Sequence, residues 1–237
     1  MTTMTMIAAV RNAGIAAMTD LSTSDTDMET GAAHGKVRVW DPLVRIFHWS
    51  LVVAFAVAWL SAEDLSTVHE IAGYAVAALV AFRVVWGFVG SRYARFAQFI
   101  KGPGTTLAYI GDMVHGKERR YLGHNPAGAV MVCALLLTLT GTAFTGWLLE
   151  EPARLSMLPD LPQIVAPAFA DEDGESEYSG GGSEILEEMH EIFADVMLLL
   201  VALHIGGVVL ASFRHHENLA RAMVSGDKRM PAPGDVT

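Results

Sequence analysis

The sequence predicts an all-α integral membrane protein, a four-helix bundle with both termini in the cytoplasm. Hydrophobic residues make up 52% of the 237 residues and charged residues only 18%, against roughly a quarter in an average soluble domain. The charges are also bunched between long stretches that have almost none. A bilayer-crossing helix needs ~20 mostly apolar residues, and the chain has four such windows. This composition argues against a disordered or a nucleic-acid-binding chain.

Each of the four windows is bounded by charged residues. Only Arg83 interrupts the second window, and only His204 lies within the apolar part of the fourth. The fourth helix is expected to begin before its apolar part, near Glu184. The four predicted spans lie inside a domain of residues 36–229 and cover about residues 44–62, 68–90, 124–149 and 185–213.

The segments outside the spans are polar or rich in helix-breaking residues. Residues 1–35 lack a signal-peptide core and a cleavage pattern, so we expect a flexible, uncleaved tail. Residues 230–237 form a predicted C-terminal tail. The loop 150–184 contains four prolines and SGGGS, which predicts an irregular segment with at most a short surface helix around LPQIVAPAFA. The single Cys133 excludes an intrachain disulfide and thiol-based metal sites.

The basic residues predict the orientation of the bundle. Fourteen of the sixteen Lys and Arg residues lie before or at the very start of the first span, between the second and third, or after the fourth. Arg154 alone lies in a loop on the other side, where the acidic run at 171–177 is found. By the positive-inside rule, both termini are cytoplasmic and the acidic loops external.

Four histidines lie at membrane depth: His48, His69, His190 and His204. A lone intramembrane histidine is commonly explained by a hydrogen bond to a neighbouring helix. Ionisable groups at this depth are costly and usually functional, so four of them together favour a shared role.

The spacing of the histidines predicts how they pair. His190 and His204 are 14 residues apart, so they lie on one helix face and are separated by ~21 Å along the axis. His69 should match the depth of His190 near the external side, and His48 that of His204 near the cytoplasmic side. With the predicted helix ends, the depths of His48 and His204 in the membrane differ by ~7 Å. Two facing imidazole pairs without a cysteine cluster suit two bis-histidine haems, whereas a closed zinc site wants four ligands at one point.

The chain also resembles the bacterial cytochrome b561 and nickel-iron hydrogenase b-type cytochrome family. The resemblance covers about residues 36–229 and is carried by VWDPLVRIFHW, HEIAGY, RVVWGFVGSRYARF, GHNPAGAVMV and EMHEIFADVMLLLVALHIGGV. It implies a multi-pass cytochrome of the bacterial inner (plasma) membrane with two b haems that exchange electrons with the quinone pool of a respiratory chain. On that pattern the four histidines are the axial ligands of the haem iron.

Two arginines lie near the predicted cytoplasmic haem, and His124 lies at the cytoplasmic start of the third span. Arg83 either pairs with a haem propionate or extends to the headgroups. Arg45, three residues before His48, either serves the same haem or anchors the first span. His124, in GHNP, suggests a helix cap and a surface role rather than haem ligation.

We therefore predict an electron-transfer protein or oxidoreductase subunit rather than a self-contained enzyme. It would connect the quinone pool to a periplasmic partner, such as a hydrogenase or a c-type cytochrome, with lipid around it and no nucleic-acid partner. One alternative is a stand-alone enzyme that oxidises a small periplasmic reductant such as superoxide and reduces quinone. Another is a haem-free four-helix sensor or transport module whose histidines make only interhelical bonds.

Overall fold

A computed structural model describes residues 35–151, 154 and 181–237, with the side chains of the last stretch described from residue 184. Residues 1–34 of the predicted N-terminal tail and 155–180 of the predicted external loop, with its surface helix, lie outside the described residues. In chain order the elements are β1 (Lys36–Arg38), α1 (Pro42–Leu60), α2 (Ser66–Val89), α3 (Phe96–Phe99), α4 (Pro103–Val114), α5 (Pro126–Glu150), α6 (Gly181–Arg214), α7 (Leu219–Ser225) and β2 (Asp227–Arg229).

Four of these helices, α1, α2, α5 and α6, are long and apolar enough to cross a membrane. The predicted all-α membrane bundle is thus confirmed, and each predicted span end lies within four residues of a helix end. Large apolar side chains project outward from the bundle, Leu60 being 82% and Phe213 75% exposed. Such surfaces suit lipid as the surrounding solvent, since water would penalise them.

Capping residues determine where two of the spans begin. The Asp41 carboxylate accepts a hydrogen bond from the Val44 backbone N–H (2.9 Å), and Pro42 occupies the first helical position of α1. The Asn125 side chain accepts one from the Gly128 N–H (2.7 Å) at the start of α5, which also begins with a proline. Each cap satisfies an otherwise unbonded N–H, and proline tolerates a position where no N–H is needed.

The helices pack in the sequence α1 on α2, α2 on α5, and α5 on α6. A buried cluster of Val76, Val80, Leu139 and Met197 joins three of them in the middle of the bundle. The Met197 side chain is only 1% exposed. Because α6 carries histidines on both sides of Met197, this apolar cluster separates two levels of the bundle.

The strands β1 and β2 form an antiparallel ribbon at one end of the bundle, with Val37 opposite Lys228. We call this the ribbon end, and we call the opposite end, where α1 turns into α2, the far end. The predicted C-terminal tail lies against the ribbon end, because Val236 pairs with Tyr121. We call residues 217–236 the ribbon-end cap.

A buried ion cluster attaches the ribbon-end cap to the loop before α5. The Arg120 guanidinium, 4% exposed, pairs with Glu217 at 2.8 Å and with Asp235. Lys228, equally buried, donates to the Leu122 carbonyl oxygen at 3.0 Å and lies 3.5 Å from Glu217. Buried ions require such partners, because each would otherwise lose its hydration without compensation. The ribbon end is therefore closed by polar contacts between segments distant in sequence.

Candidate functional site

The structure brings the four intramembrane histidines together in two pairs. The rings of His48 and His204 face each other with their centroids 6.4 Å apart, and those of His69 and His190 with theirs 6.1 Å apart. The first lies towards the ribbon end and is called the ribbon-end pair, and the second is called the far-end pair. All four side chains are half-buried. Helix α6 contributes one histidine to each pair, α1 contributes His48 and α2 contributes His69.

The ring separations fit one metal ion held between each pair. An imidazole nitrogen binds a first-row metal at about 2 Å, and that nitrogen lies about 1 Å from its ring centre, so two rings on opposite sides of one metal have centres about 6 Å apart. Among the described residues no group of three or more His, Cys, Asp or Glu side chains could hold a metal ion. A two-ligand site of this kind suits a haem iron, whose other four ligands are porphyrin nitrogens.

The far-end pair is oriented by hydrogen bonds from the second nitrogen of each ring. His69 Nδ1 lies 2.8 Å from the Ala58 carbonyl oxygen near the end of α1. Since a carbonyl oxygen only accepts, Nδ1 carries the proton and Nε2 keeps the lone pair that a metal needs. A contact of this kind determines both the tautomer and the ring orientation of a metal-binding histidine.

Thr145 performs the equivalent function for His190. Its Oγ1 lies 3.0 Å from His190 Nδ1 and 2.9 Å from the carbonyl oxygen of Gly141 on its own helix. The single hydroxyl proton is donated to the carbonyl, so Oγ1 can accept a proton from Nδ1. His190 Nε2 is then also free to bind a metal. The threonine is 3% exposed, so this arrangement is shielded from solvent.

Glycines leave space beside the histidines. A Cβ on Gly146 would lie 3.0 Å from His190 Cε1, so a side chain there would press on the ring. Gly73, one turn from His69, and Gly207, one turn from His204, would carry a Cβ that meets no atom within 4 Å. Residues one turn apart share a helix face. Both pairs therefore have room for a flat macrocycle beside a ligand.

The ribbon-end pair has different surroundings. His48 Nδ1 is enclosed, and no group of the described chain bonds to it. Arg45, one turn before it, donates to the Val224 carbonyl oxygen through Nη1, while its Nε is buried without a partner. The predicted difference in depth between His48 and His204 does not keep them apart, since their ring centroids are 6.4 Å from each other.

Arg83 lies inside the bundle near the same end. Its residue is 3% exposed, its guanidinium stacks over the Phe96 ring at 5.1 Å, and its Nη1 has no partner in the described structure. This burial disfavours the interpretation in which Arg83 extends to the lipid headgroups. An unpaired buried guanidinium instead indicates a place for an anion.

His124 does not have the surface position expected from GHNP. Its ring packs against Trp40 and Phe99, with centroid distances of 4.8 and 4.7 Å. Its Nδ1 is enclosed and has no partner among the described residues. Burial, with the nearby charges of Arg83 and Lys228, lowers the pKa of His124 to about 3. The imidazole is thus neutral at physiological pH.

Sequence reasoning missed the residues that orient the histidines. Thr145 could have been noticed as a hydroxyl in an apolar span, but its contact with His190 depends on the rotation of α5 against α6. The Ala58 carbonyl leaves no trace in a side-chain pattern. Both are identified only when the neighbouring helix is in place.

Comparison with known proteins places the chain in a family. The sequence model described as prokaryotic cytochrome b561 matches residues 39–226. Neither the curated proteins nor the solved structures include a match to the chain. The matched range contains both histidine pairs, Arg45, Arg83 and His124.

Proposed function

The chain belongs to the prokaryotic cytochrome b561 family, and on this premise we propose a di-haem member that carries electrons across the bilayer between the quinone pool and a periplasmic redox partner. Family membership makes the chain a membrane b-type cytochrome of electron transfer. The number of haems, the quinone and the periplasmic partner are the proposal. One observation carries it: the two histidine pairs, at ring separations of 6.1 and 6.4 Å, lie at different levels of one bundle.

In the proposed arrangement His48 and His204 hold one haem and His69 and His190 hold the other. A bound haem supplies an iron that accepts and releases one electron. With two imidazoles given to each haem, the chain would keep small ligands from the iron, and its task would be outer-sphere electron transfer. Arg45 and Arg83, with unpaired nitrogens at the ribbon end, would bind haem propionates there.

The chain between the two levels keeps water out. His190 and His204 are separated by ~21 Å along α6, and the apolar cluster around Met197 fills the space between their levels. A dense apolar core of this kind has few voids large enough for water. Electrons could therefore cross between the two sites while protons could not follow.

The quinone is the proposed lipid-soluble substrate. A quinone takes up two electrons and two protons on reduction, so each turnover requires two single-electron transfers through the chain. The exposed apolar helix faces would keep the bundle in the lipid phase where quinones dissolve. The test is electron exchange with a quinone by purified protein in lipid vesicles, measured from the haem absorbance.

We further propose that the ribbon end faces the cytoplasm of a bacterial cell and the far end the periplasm. The clustering of basic residues at the ribbon end supports this orientation. The acidic run at 171–177 would then face the periplasm, where carboxylates can steer a basic partner. Electron transfer to a basic c-type cytochrome should slow as ionic strength rises, and a rate independent of salt would contradict the steering.

One observation weighs against the superoxide alternative. At the far end Arg154 is paired with Glu150 and, at 3.2 Å, with Glu151. A cation held by two carboxylates is a poor attractant for an anion. Reduction of quinone by the purified protein supplied with superoxide would favour the superoxide alternative instead.

The haem-free alternative is tested most directly. A reduced-minus-oxidised spectrum and a pyridine haemochrome assay should give two b haems per chain. A value near zero would leave the histidines as interhelical hydrogen-bonding groups only, and a value near one would contradict the di-haem arrangement.

A further inference from the structure

His124 lies where the haem-bearing helices meet the ribbon end, although it is not part of either histidine pair. It precedes α5 by two residues and is positioned by the Asn125 cap. Trp40 packs against its ring edge to face and Phe99 at a tilt. Aromatic contacts of this kind restrict the ring to one orientation. The orientation leaves Nδ1 enclosed and unbonded by any described residue.

Besides Nδ1 of His48, itself a proposed haem ligand, three unused hydrogen-bonding nitrogens are buried at the ribbon end. They are Nε of Arg45, Nη1 of Arg83 and Nδ1 of His124. The residues come from α1, from α2 and from the segment before α5. Buried polar atoms are rarely left unpaired, because each loses its bond to water. The charge of Arg83 acts on His124, and Arg45 and Trp40, which packs on His124, both lie beside Gly226. This proximity indicates one polar group that all three could bind.

The chemistry of these nitrogens specifies that group. Two belong to guanidinium groups, which only donate, and the charge of Arg83 acts on His124. Lys228 adds a further positive charge nearby, although Glu217 and two backbone carbonyls partly satisfy it.

The charge of Asp41 also acts on Arg83, but the Asp41 oxygens already accept from Val44 N–H, Trp86 and Ser91. Glu118 Oε2 is a buried acceptor without a partner in the described structure, but its carboxylate pairs with Arg214. The nitrogens of Arg45, Arg83 and His124 can act as donors and are close to positive charge, which matches a carboxylate.

We propose that His124 is the third donor of an anion clamp which, with Arg45 and Arg83, binds a carboxylate of the haem held by His48 and His204. This inference rests on the proposed di-haem function and adds a positioning residue to it. The neutral His124 donates through Nδ1 and directs the carboxylate, while the two arginines neutralise its charge. The far end has no equivalent clamp among the described residues, since Arg154 is already paired there.

The clamp should control the midpoint potential of the ribbon-end haem. Donors to a haem carboxylate reduce the negative charge near the iron and so favour the ferrous form. Without the His124 donor, the ferric form becomes more stable relative to the ferrous form. The equilibrium constant for reduction of this haem should therefore fall by about three- to tenfold. The carboxylate should also take up a proton more readily, so the potential should depend more steeply on pH between 6 and 8.

The test uses the purified full-length protein with both haems. His124→Phe keeps a ring between Trp40 and Phe99 but removes the donor, whereas His124→Gln supplies an amide donor. We expect a lower and more pH-dependent ribbon-end potential in the Phe variant, with recovery in the Gln variant and an unchanged far-end potential. His115→Phe is the matched control, because His115 is exposed and bonds only the Gly111 carbonyl of its own turn.

A double-mutant cycle with Arg83→Gln tests whether the two residues bind the same group. A shared carboxylate predicts that the combined shift is smaller than the sum of the single shifts. Unchanged potentials in both His124 variants, or equal shifts of both haems, would overturn the clamp. A change confined to the KM for quinone would also overturn it and assign His124 to the quinone instead. Failure of the di-haem function would be recognised separately, as fewer than two haems in the unmodified protein.

Discussion

The far-end and ribbon-end histidine pairs have nearly the same ring separation but different surroundings. At the far end both Nδ1 atoms are bonded, one to the Ala58 carbonyl and one to Thr145. At the ribbon end His48 Nδ1 has no partner in the described chain, and arginines lie nearby. Hydrogen bonds within the protein thus orient the far-end ligands, whereas at the ribbon end Arg45, one turn from His48, bonds the Val224 carbonyl of the cap. The two sites should differ in affinity and in potential.

The largest expected effect is the loss of one haem at a time. His69→Leu or His190→Leu should remove the far-end haem, and His48→Leu or His204→Leu the ribbon-end haem, because a single imidazole cannot hold six-coordinate iron. The pyridine haemochrome assay should then give one haem per chain, with two distinct residual spectra. His115→Leu is the control and should keep both haems. If a variant of one histidine pair left the same residual spectrum as a variant of the other pair, the pairing would be wrong.

Thr145→Val should sharpen the comparison by removing an orienting contact at the far end only. The valine cannot accept from His190 Nδ1, so we expect about a 10- to 100-fold weaker haem affinity at this site. The haem affinity is measured as the haem that the protein retains during titration with apomyoglobin. Thr140→Val is matched, because the exposed Thr140 hydroxyl bonds only Leu136 of its own helix. Equal losses in both variants would mean that the hydroxyl merely stabilises α5.

The far-end haem should have the lower midpoint potential. Its imidazoles become more electron-rich through their Nδ1–H bonds, which favours ferric iron, while Arg45 and Arg83 favour ferrous iron at the ribbon end. Arg83→Gln should lower the midpoint potential of the ribbon-end haem, with about a tenfold fall in the equilibrium constant for its reduction. The difference between the two midpoint potentials should then become smaller. A spectroscopic redox titration measures both potentials. The reverse order in the unmodified protein would contradict this account.

Acid should affect the ribbon end first, through its cap. Burial by itself would raise the pKa of Glu217, but the hydrogen bonds from Arg120 and the Arg229 N–H, together with the charges of Lys228 and Arg120, keep the pKa below the usual 4.5. A lowered pKa means that the ionised carboxylate stabilises the cap above its unfolded pKa, and that this stability is lost as pH falls through the folded value. Proteolysis of the ribbon-end cap should therefore be constant from pH 8 to 6 and increase only below about pH 4. If proteolysis of the cap increased between pH 8 and 6, a titratable group other than Glu217 would control the stability of the cap.

The smallest effect is expected from Arg38→Gln. Arg38 pairs with Asp227 across the ribbon at 3.7 Å, and the arginine side chain is 71% exposed. An exposed pair of this kind typically contributes about 0.2–1 kcal/mol. Cap proteolysis and both haem potentials should be unchanged. A large effect would mean that the ribbon, rather than the buried Arg120 cluster, holds the cap in place.

The architecture was predictable because each signal is local. Apolar windows bounded by charged residues mark the four spans. The 14-residue spacing of His190 and His204 places both on one face of α6 through helix geometry alone. Depth matching then pairs them with His69 and His48, and the structure brings the same partners together.

The surroundings of the pairs were not predictable in the same way. The expected surface role of His124 fails because Trp40 and Phe99, from elsewhere in the chain, fold over it. The ribbon, the ion cluster around Arg120 and the packing of residues 230–237 join segments about 100 or more residues apart. The hydrophobic pattern of a single segment does not predict a contact between such distant segments.

The sequence by itself thus determined the four-helix membrane bundle, its family and the two levels at which histidines lie. Hydrophobicity and helical periodicity are properties of neighbouring residues, and a bilayer turns them directly into spans. Only the tertiary structure decided which ring nitrogens are bonded, which arginine nitrogens are unpaired and how the ribbon end is closed. Those features depend on the rotation of one helix against another and on contacts between distant segments, which the order of residues does not display.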